Sequence, residues 1–256
     1  MPKYFKFLGK NKTNRDFQYK LGLNVDTISF NDDEDEVCVK GGLYFSEAKD
    51  IIKHNNSFHE WLAEVELPDD EPLITFKDKS RAHQLIVKKF YKLDKVKTWK
   101  YLAEQGVDIH AEDEYALLNS AEKGHFEVVK YLVEQGADIH VGKEYALRYA
   151  AAYGHLEVVK YLVEQGADIH AEEDSALRNA AEKGHFEVVK YLVEQGANIN
   201  ARDYSALRYA AAYGNLEVVK YLVKLGADIH AEEDSALRIA EGQGHLEVVK
   251  YLKSIK

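Results

Sequence analysis

The chain has 256 residues, 46% of them hydrophobic, and a formal net charge of −10. That length holds a repeat array plus one small domain, the apolar content excludes bulk disorder, and the charge has the wrong sign for gripping a phosphate backbone. Cys38 is the single cysteine, which excludes an intrachain disulfide. No apolar run approaches the roughly 20 residues that cross a bilayer, and residues 1–7 lack the apolar core of a signal peptide. A soluble intracellular protein is expected, with neither nucleic acid nor membrane as partner.

Residues 1–80 are irregular and aromatic and contain all three prolines. Alternation and β-branching predict strands at 4–7 and 24–30, followed by an acidic loop at 31–36 that lacks the ligand spacing and turn glycine of a calcium site. No histidine pairing is readable beside Cys38, which is expected to be an unreactive thiol. Gly41-Gly42 reads as a turn into a strand at 43–45, and Ser46 with Asp50 suits a short helix through Ile52. Residues 61–67 alternate as a strand that stops at Pro68-Asp69-Asp70, and 74–76 form another. A small α+β domain over 1–80 is expected.

Beyond it the chain repeats every thirty residues. Gly124 to Leu132 returns as Gly154 to Leu162, Gly184 to Leu192, Gly214 to Leu222 and Gly244 to Leu252. A fixed period of this size marks a solenoid, in which each unit contacts only its neighbours. In residues 171–200, Asp174 and Ser175 are N-cap types, and Ala176, Leu177, Ala180 and Ala181 make a small apolar stripe that Gly184 terminates. A second helix runs from Glu187 to Gln195, with Val188, Val189, Leu192 and Val193 inward and Glu187, Lys190, Tyr191 and Glu194 outward. Spacing predicts Glu187–Lys190 and Lys190–Glu194 pairs on that outer face.

The residues Ser175-Ala176-Leu177-Arg178, Ala180-Ala181, Gly184-His185, Glu187-Val188-Val189 and Gly196-Ala197 resemble the ankyrin repeat. The resemblance covers 111–256 in five copies, with a decayed copy at 81–110 that keeps Leu85, Trp99, Leu102, Gly106 and Ile109. It implies a mainly α ankyrin-repeat solenoid of 30-residue units behind the α+β domain. The expected divisions are a degenerate capping repeat over 81–110, four full repeats over 111–230 and a C-terminal capping repeat over 231–256. Family repeats run 33 residues, and the missing three fall between Ala171 and Ser175, so shortened β-hairpin fingers are expected. Arg replaces the family's His after Ala-Leu; its five donors can serve backbone carbonyls or the acids Glu172, Glu173 and Asp174.

Core positions barely vary between copies, so partner choice falls to those that do. Pairs at the end of each first helix read Glu122-Lys123, Ala152-Tyr153, Glu182-Lys183, Ala212-Tyr213 and Gly242-Gln243; one turn earlier stand Asn119, Tyr149, Asn179, Tyr209 and Ile239. The resemblance places the paired positions on a concave, ligand-touching face, and i,i+4 spacing sets Tyr149 beside Tyr153 and Tyr209 beside Tyr213. Candidate partner-binding residues are therefore Glu122, Lys123, Tyr149, Tyr153, Glu182, Lys183, Tyr209 and Tyr213, extended by Tyr145 and Tyr204 in the shortened connections. Tyrosine supplies apolar area and a polar tip at small entropic loss. The alternative is a relic of pairwise duplication, with each Tyr packed on its neighbours.

The ladder Arg148, Arg178, Arg208, Arg238 suits an acidic ligand or, as the plainer reading, structural pairing with nearby groups. Recurring histidines (His110, His140, His170, His230; His125, His155, His185, His245) sit one unit apart, about 8–10 Å, too far to share an ion, so no metal and no cofactor is expected. Lys253, Glu241, Lys250 and Lys256 polarise the last unit, as the exposed end of a solenoid requires, and no C-terminal recruitment module is expected after it.

Residues 17–24, 41–45 and 65–70 resemble the N-terminal segment that precedes ankyrin arrays in giant amoebal viruses of the mimivirus type. The resemblance implies expression in an infected host cell and carries no mechanism. The expected function is a non-catalytic, monomeric adaptor that binds a host or viral protein in the host cytoplasm, with the virion as a further location. The glycine turn, aromatic strand and short helix also resemble part of the ADP-ribosyltransferase core, and an enzyme alternative would draft His54, His59 and Glu64, whose spacing matches no motif. A structural or virion-associated scaffold is the second alternative.

Overall fold

The computed structural model describes residues 3–14, 17–26, 43–54 and 59–255, without the side chains of 203 and 204. The expected acidic loop, Cys38, the Gly41-Gly42 turn, positions 27–30 of the second strand and the Tyr204 side chain lie outside the described residues. The chain divides into two compact units, Met1–Asn119 and Ser120–Lys256.

The first unit is strand-rich. Strands β1 (Tyr4–Leu8), β4 (Gly22–Val25), β5 (Leu43–Glu47), β6 (Trp61–Glu66), β7 (Leu73–Thr75), β8 (Ser80–Ala82) and β9 (Gln84–Lys92) form one sheet in the order β4-β9-β6-β1-β5-β8-β7, and β2 (Thr13–Asn14) pairs with β3 (Phe17–Gln18) in a separate ribbon. All recorded pairings in the large sheet are antiparallel; β1 meets β6 with Tyr4 opposite Val65 and Leu8 opposite Trp61. Side chains alternate across the pleat, so Leu8, Leu43, Phe45, Ala63, Val65, Leu85 and Val87 gather in one buried cluster. The expected short helix is a 3-10 helix, Ala48–His54, that buries Ile51 and Ile52.

The decayed repeat is corrected here. Residues 81–82 and 84–92 lie in β8 and β9, because Gln84–Lys92 (QLIVKKFYK) is β-branched and aromatic and lacks the Ala-Ala pair that lets two helices approach. Only its second half is helical: α1 (Val96–Glu104) buries Trp99 and Leu102, and Trp99 Nε1 donates to the Leu93 carbonyl at 2.8 Å. α2 (Ala111–Glu122) follows.

In the second unit, first and second helices alternate: α3 (Phe126–Glu134), α4 (Val141–Ala152), α5 (Leu156–Glu164), α6 (Ala171–Lys183), α7 (Phe186–Glu194), α8 (Ala201–Ala212), α9 (Leu216–Lys224), α10 (Ala231–Gln243) and α11 (Leu246–Ser254). Ala146, Leu147, Ala150, Ala151, Val158, Val159 and Leu162 are at most 1% exposed, and their equivalents in the next unit are buried likewise. The seam is thus continuous, with small residues on first helices facing Val and Leu on second helices.

The shortened connection is not a hairpin. Glu172, Glu173 and Asp174 take φ of 51, 58 and 57°, a single left-handed turn that opens α6, and Glu232, Glu233 and Asp234 do the same in α10. Left-handed backbone costs an L-residue roughly 1–2 kcal/mol, so other contacts hold it. Arg178 Nη1 donates to the Glu172 carbonyl at 2.8 Å and also to that of Glu173, and Arg238 donates to the Glu233 and Glu232 carbonyls at 2.9 and 3.1 Å. Backbone carbonyls, and not the neighbouring carboxylates, are therefore the partners of these two arginines. The predicted Glu187–Lys190 and Lys190–Glu194 ion pairs are absent among the described residues. Elsewhere on the second helices, Lys160 and Lys220 lie over the rings of Tyr191 and Tyr251 at 5.7 and 5.6 Å. Tyr191, expected outward, is half-buried, and burial raises the pKa of its hydroxyl.

Candidate functional site: the first-helix face

Successive units are stapled at the ends of their first helices. His155 Nε2 meets the Glu122 carbonyl at 2.8 Å, His185 the Ala152 carbonyl at 3.0 Å and His245 the Ala212 carbonyl at 2.8 Å. A carbonyl only accepts, so each of these rings carries its proton on Nε2. Asn215 replaces histidine and donates to the Ala181 and Glu182 carbonyls at 2.8 and 2.7 Å. The preceding glycines admit the ring: a Cβ on Gly154 would lie 2.5 Å from His185 Nδ1.

The other histidines hold the left-handed turns. His140 Nδ1 bonds Glu144 Oε1 at 2.6 Å, His170 Nδ1 bonds Asp174 Oδ1 at 3.0 Å, and His230 Nδ1 bonds Asp234 Oδ1 at 2.6 Å. The bond from Glu144 raises the His140 pKa above the ordinary histidine value. Each joint is also tied by an Asp or Asn two residues earlier, as in His140 N to Asp138 Oδ1 at 2.8 Å. These pairs were readable as a His four residues before a carboxylate. Among the described residues no group of three His, Cys, Asp or Glu side chains is placed to hold a metal.

With those groups engaged internally, the varied positions form the accessible chemistry. Tyr145, Tyr149, Tyr153, Tyr209 and Tyr213 are 40, 38, 54, 42 and 54% exposed; among the described residues of the array, Leu225 and Leu246 are the other exposed large apolar side chains. Tyr149 finds its ring partner in Tyr145, stacked at 5.6 Å and 15°, and the Arg148 guanidinium lies 4.9 Å over Tyr145. Gly142 makes this fold-back possible, since a Cβ there would sit 2.0 Å from the Tyr145 ring. Tyr153 stacks with His155 at 6.4 Å. Lys183 Nζ stands 5.4 Å from the Tyr213 ring centre and 2.9 Å from Glu182 Oε1, so the Glu182-Lys183 pair of one unit joins the tyrosine of the next. Glu122 and Lys123 are half-buried at the equivalent place.

In the first unit, the three residues drafted for catalysis have separate partners. His54 Nε2 meets the Asp78 carbonyl at 3.1 Å, and His59 stacks on Phe7 at 5.5 Å. Glu64 Oε2 accepts from the Tyr91 and Tyr101 hydroxyls at 2.8 and 2.9 Å. Burial and that carboxylate raise the Tyr91 pKa, which keeps the hydroxyl a donor.

A family profile of ankyrin repeats (3 copies) matches residues 89–173 and 170–233, more than half of the chain. The chain belongs to the ankyrin-repeat family. It is 40% identical over 130 residues to protein R869 of Acanthamoeba polyphaga mimivirus, a match covering 49% of this chain and 94% of that one. The mimivirus ankyrin repeat proteins R896 and R868 are 37% and 36% identical over 130 and 132 residues, again 49% of this chain. The matches span 39% and 64% of those two relatives. Ankyrin arrays are protein–protein interaction modules, and such homologues are generally non-enzymatic. Among the described residues no helix is long and apolar enough to cross a membrane.

Proposed function

We propose that the array is the recognition part of a monomeric, non-catalytic adaptor that binds a host or viral protein across Tyr145, Tyr149, Tyr153, Tyr209 and Tyr213, in the cytoplasm of an infected cell. The observation that supports this reading is the exposure of these tyrosines on helices whose Ala and Leu seam residues are buried. A rigid aromatic surface with polar tips loses little entropy on docking, and tyrosine is enriched among residues whose truncation weakens interfaces. The mimivirus relatives make lysate of an infected amoeba the material to probe. Replacing Tyr149, Tyr153, Tyr209 and Tyr213 with Ala should reduce capture of a partner from that lysate by roughly tenfold or more, with the helical circular-dichroism signal unchanged. Equal capture by the variant would refute this placement.

A further inference from the structure

The chain carries a formal net charge of −10, yet the first-helix positions beyond the turns hold more cations than anions. Between 122 and 213 the positions beyond the left-handed turns present Lys123, Arg148, Arg178, Lys183 and Arg208 against Glu122 and Glu182. Glu182 is already bonded by Lys183. Glu144 and Asp174 are buried and bonded by His140 and His170, and at the turn tips Glu172 pairs with Lys143 at 2.5 Å.

The arginines differ in what they bind. Arg178 is buried on the turn carbonyls. Arg148 and Arg208 are half-buried, donate no hydrogen bond among the described residues, and leave Nε without a partner. Arg148 lies over the Tyr145 ring and is close enough to Glu172 to help Lys143 hold that carboxyl below its ordinary pKa. Both occur in the tyrosine-bearing units, immediately before the exposed Tyr149 and Tyr209. Arg178, between them in sequence, has its pKa lowered first by burial and then by Arg202, with Tyr209 and Glu173 opposing that shift and Arg148 adding to it. With Nε buried, the terminal Nη groups of such a guanidinium, beside an aromatic face, are suited to a carboxylate held bidentately.

We propose that this face receives an extended acidic segment of the protein partner, one carboxylate meeting Arg148 and a second meeting Arg208, with the chain between them lying over the tyrosines. The proposal rests on the adaptor reading above and adds the chemistry of the occupant. Arg148 and Arg208 are two units apart; helix packing at about 8–10 Å per unit sets them roughly 16–20 Å apart. An extended chain rises about 3.3 Å per residue, so the two acids belong about six residues apart.

Fluorescence anisotropy on the full chain tests this with synthetic Gly/Ser peptides bearing two glutamates about six residues apart, the same peptide with glutamines, and one with the glutamates adjacent. The spaced glutamate peptide should bind roughly tenfold tighter than either control, weaken as salt rises, and lose a similar factor on the variant Arg148→Gln/Arg208→Gln. Equal binding of the glutamine peptide, indifference to spacing, or no binding of the spaced peptide at millimolar concentration would overturn the proposal. A phosphoserine peptide that binds where the glutamate peptide does not would also overturn it. Should the arginine variant unfold, the comparison of peptides on the unaltered chain still decides. If the peptides fail while the tyrosine variant loses its captured partner, this inference falls and the adaptor reading stands; if neither changes, both fall.

Discussion

At the scale of single residues, the repeat is written in pairs that touch across units. Gly154 and His185 are one such pair: the glycine has φ of 77° and no room for a Cβ, because the His185 ring is pressed against it while Nε2 reaches the Ala152 carbonyl. Gly166 has φ of 97° with nothing within 4 Å of a built Cβ, so its side chain would meet open space. Gly166→Ala should then lose only backbone freedom in the left-handed region, about 1 kcal/mol. Gly154→Ala adds displacement of the histidine and its inter-unit bond and should lose roughly 2–3 kcal/mol. Urea denaturation of both variants checks this; equal losses would mean that the staple contributes nothing. Asn215 shows that the position needs a donor and not an imidazole, so His185→Asn should recover most of the stability that His185→Ala loses.

At the scale of the element, the left-handed turn is the feature the thirty-residue period concealed. Deleting three residues from a longer repeat predicts a shorter finger, but nothing in Glu-Glu-Asp announces left-handed backbone, since glycine is the residue that signals it and only the second unit has one, Gly142. The Val/Leu/Ala seam was legible because burial enforces a period, and the tyrosine positions were legible because they break it. The strand over 84–92 was misread as half a repeat, since Leu85 fits either pattern. Glu232 occupies the place of Gly142 with φ of 52°, so Glu232→Gly should relieve strain and stabilise by roughly 0.5–1 kcal/mol in thermal unfolding. A loss instead would mean that the turn is not strained. The same turn responds to pH. The folded His140 pKa is raised by Glu144, so the folded state binds its proton more tightly than the unfolded chain does. That contribution is complete below the ordinary histidine pKa of about 6.5 and fades as pH rises through the folded value. His140 is 58% exposed, so the effect is roughly 0.5 kcal/mol or less. Glu144→Gln should flatten this part of the pH dependence of the melting temperature, and an unchanged slope would refute the pairing.

At the scale of the whole molecule, the solenoid is a line of like interfaces in which alternate units carry different surfaces. Tyrosine units, 141–170 and 201–230, alternate with a Glu-Lys unit, 171–200, and Lys183 bridges from the latter to Tyr213. Folding depends on the seam, which every unit shares, while the proposed recognition depends on the alternation, which a deletion can disturb separately. Removing residues 171–200 joins His170 to Ala201, the same joint sequence His-Ala that the chain uses elsewhere, and brings Asn215 to the carbonyls that His185 had used. The shortened chain should remain folded, with a urea m-value reduced in proportion to the surface of one unit. It also sets two tyrosine units side by side without Lys183, so partner capture should fall by roughly the factor that one lost central contact contributes, about tenfold. Removing residues 141–200 instead preserves the order of unit types, placing Lys123 where Lys183 had stood beside Tyr213. That chain loses more stability but should retain the local Lys–Tyr contact. A collapse of helical signal beyond the deleted residues in either chain would show that the units do not add as nearest neighbours. Weaker capture in proportion to length alone would show that the alternation carries no recognition.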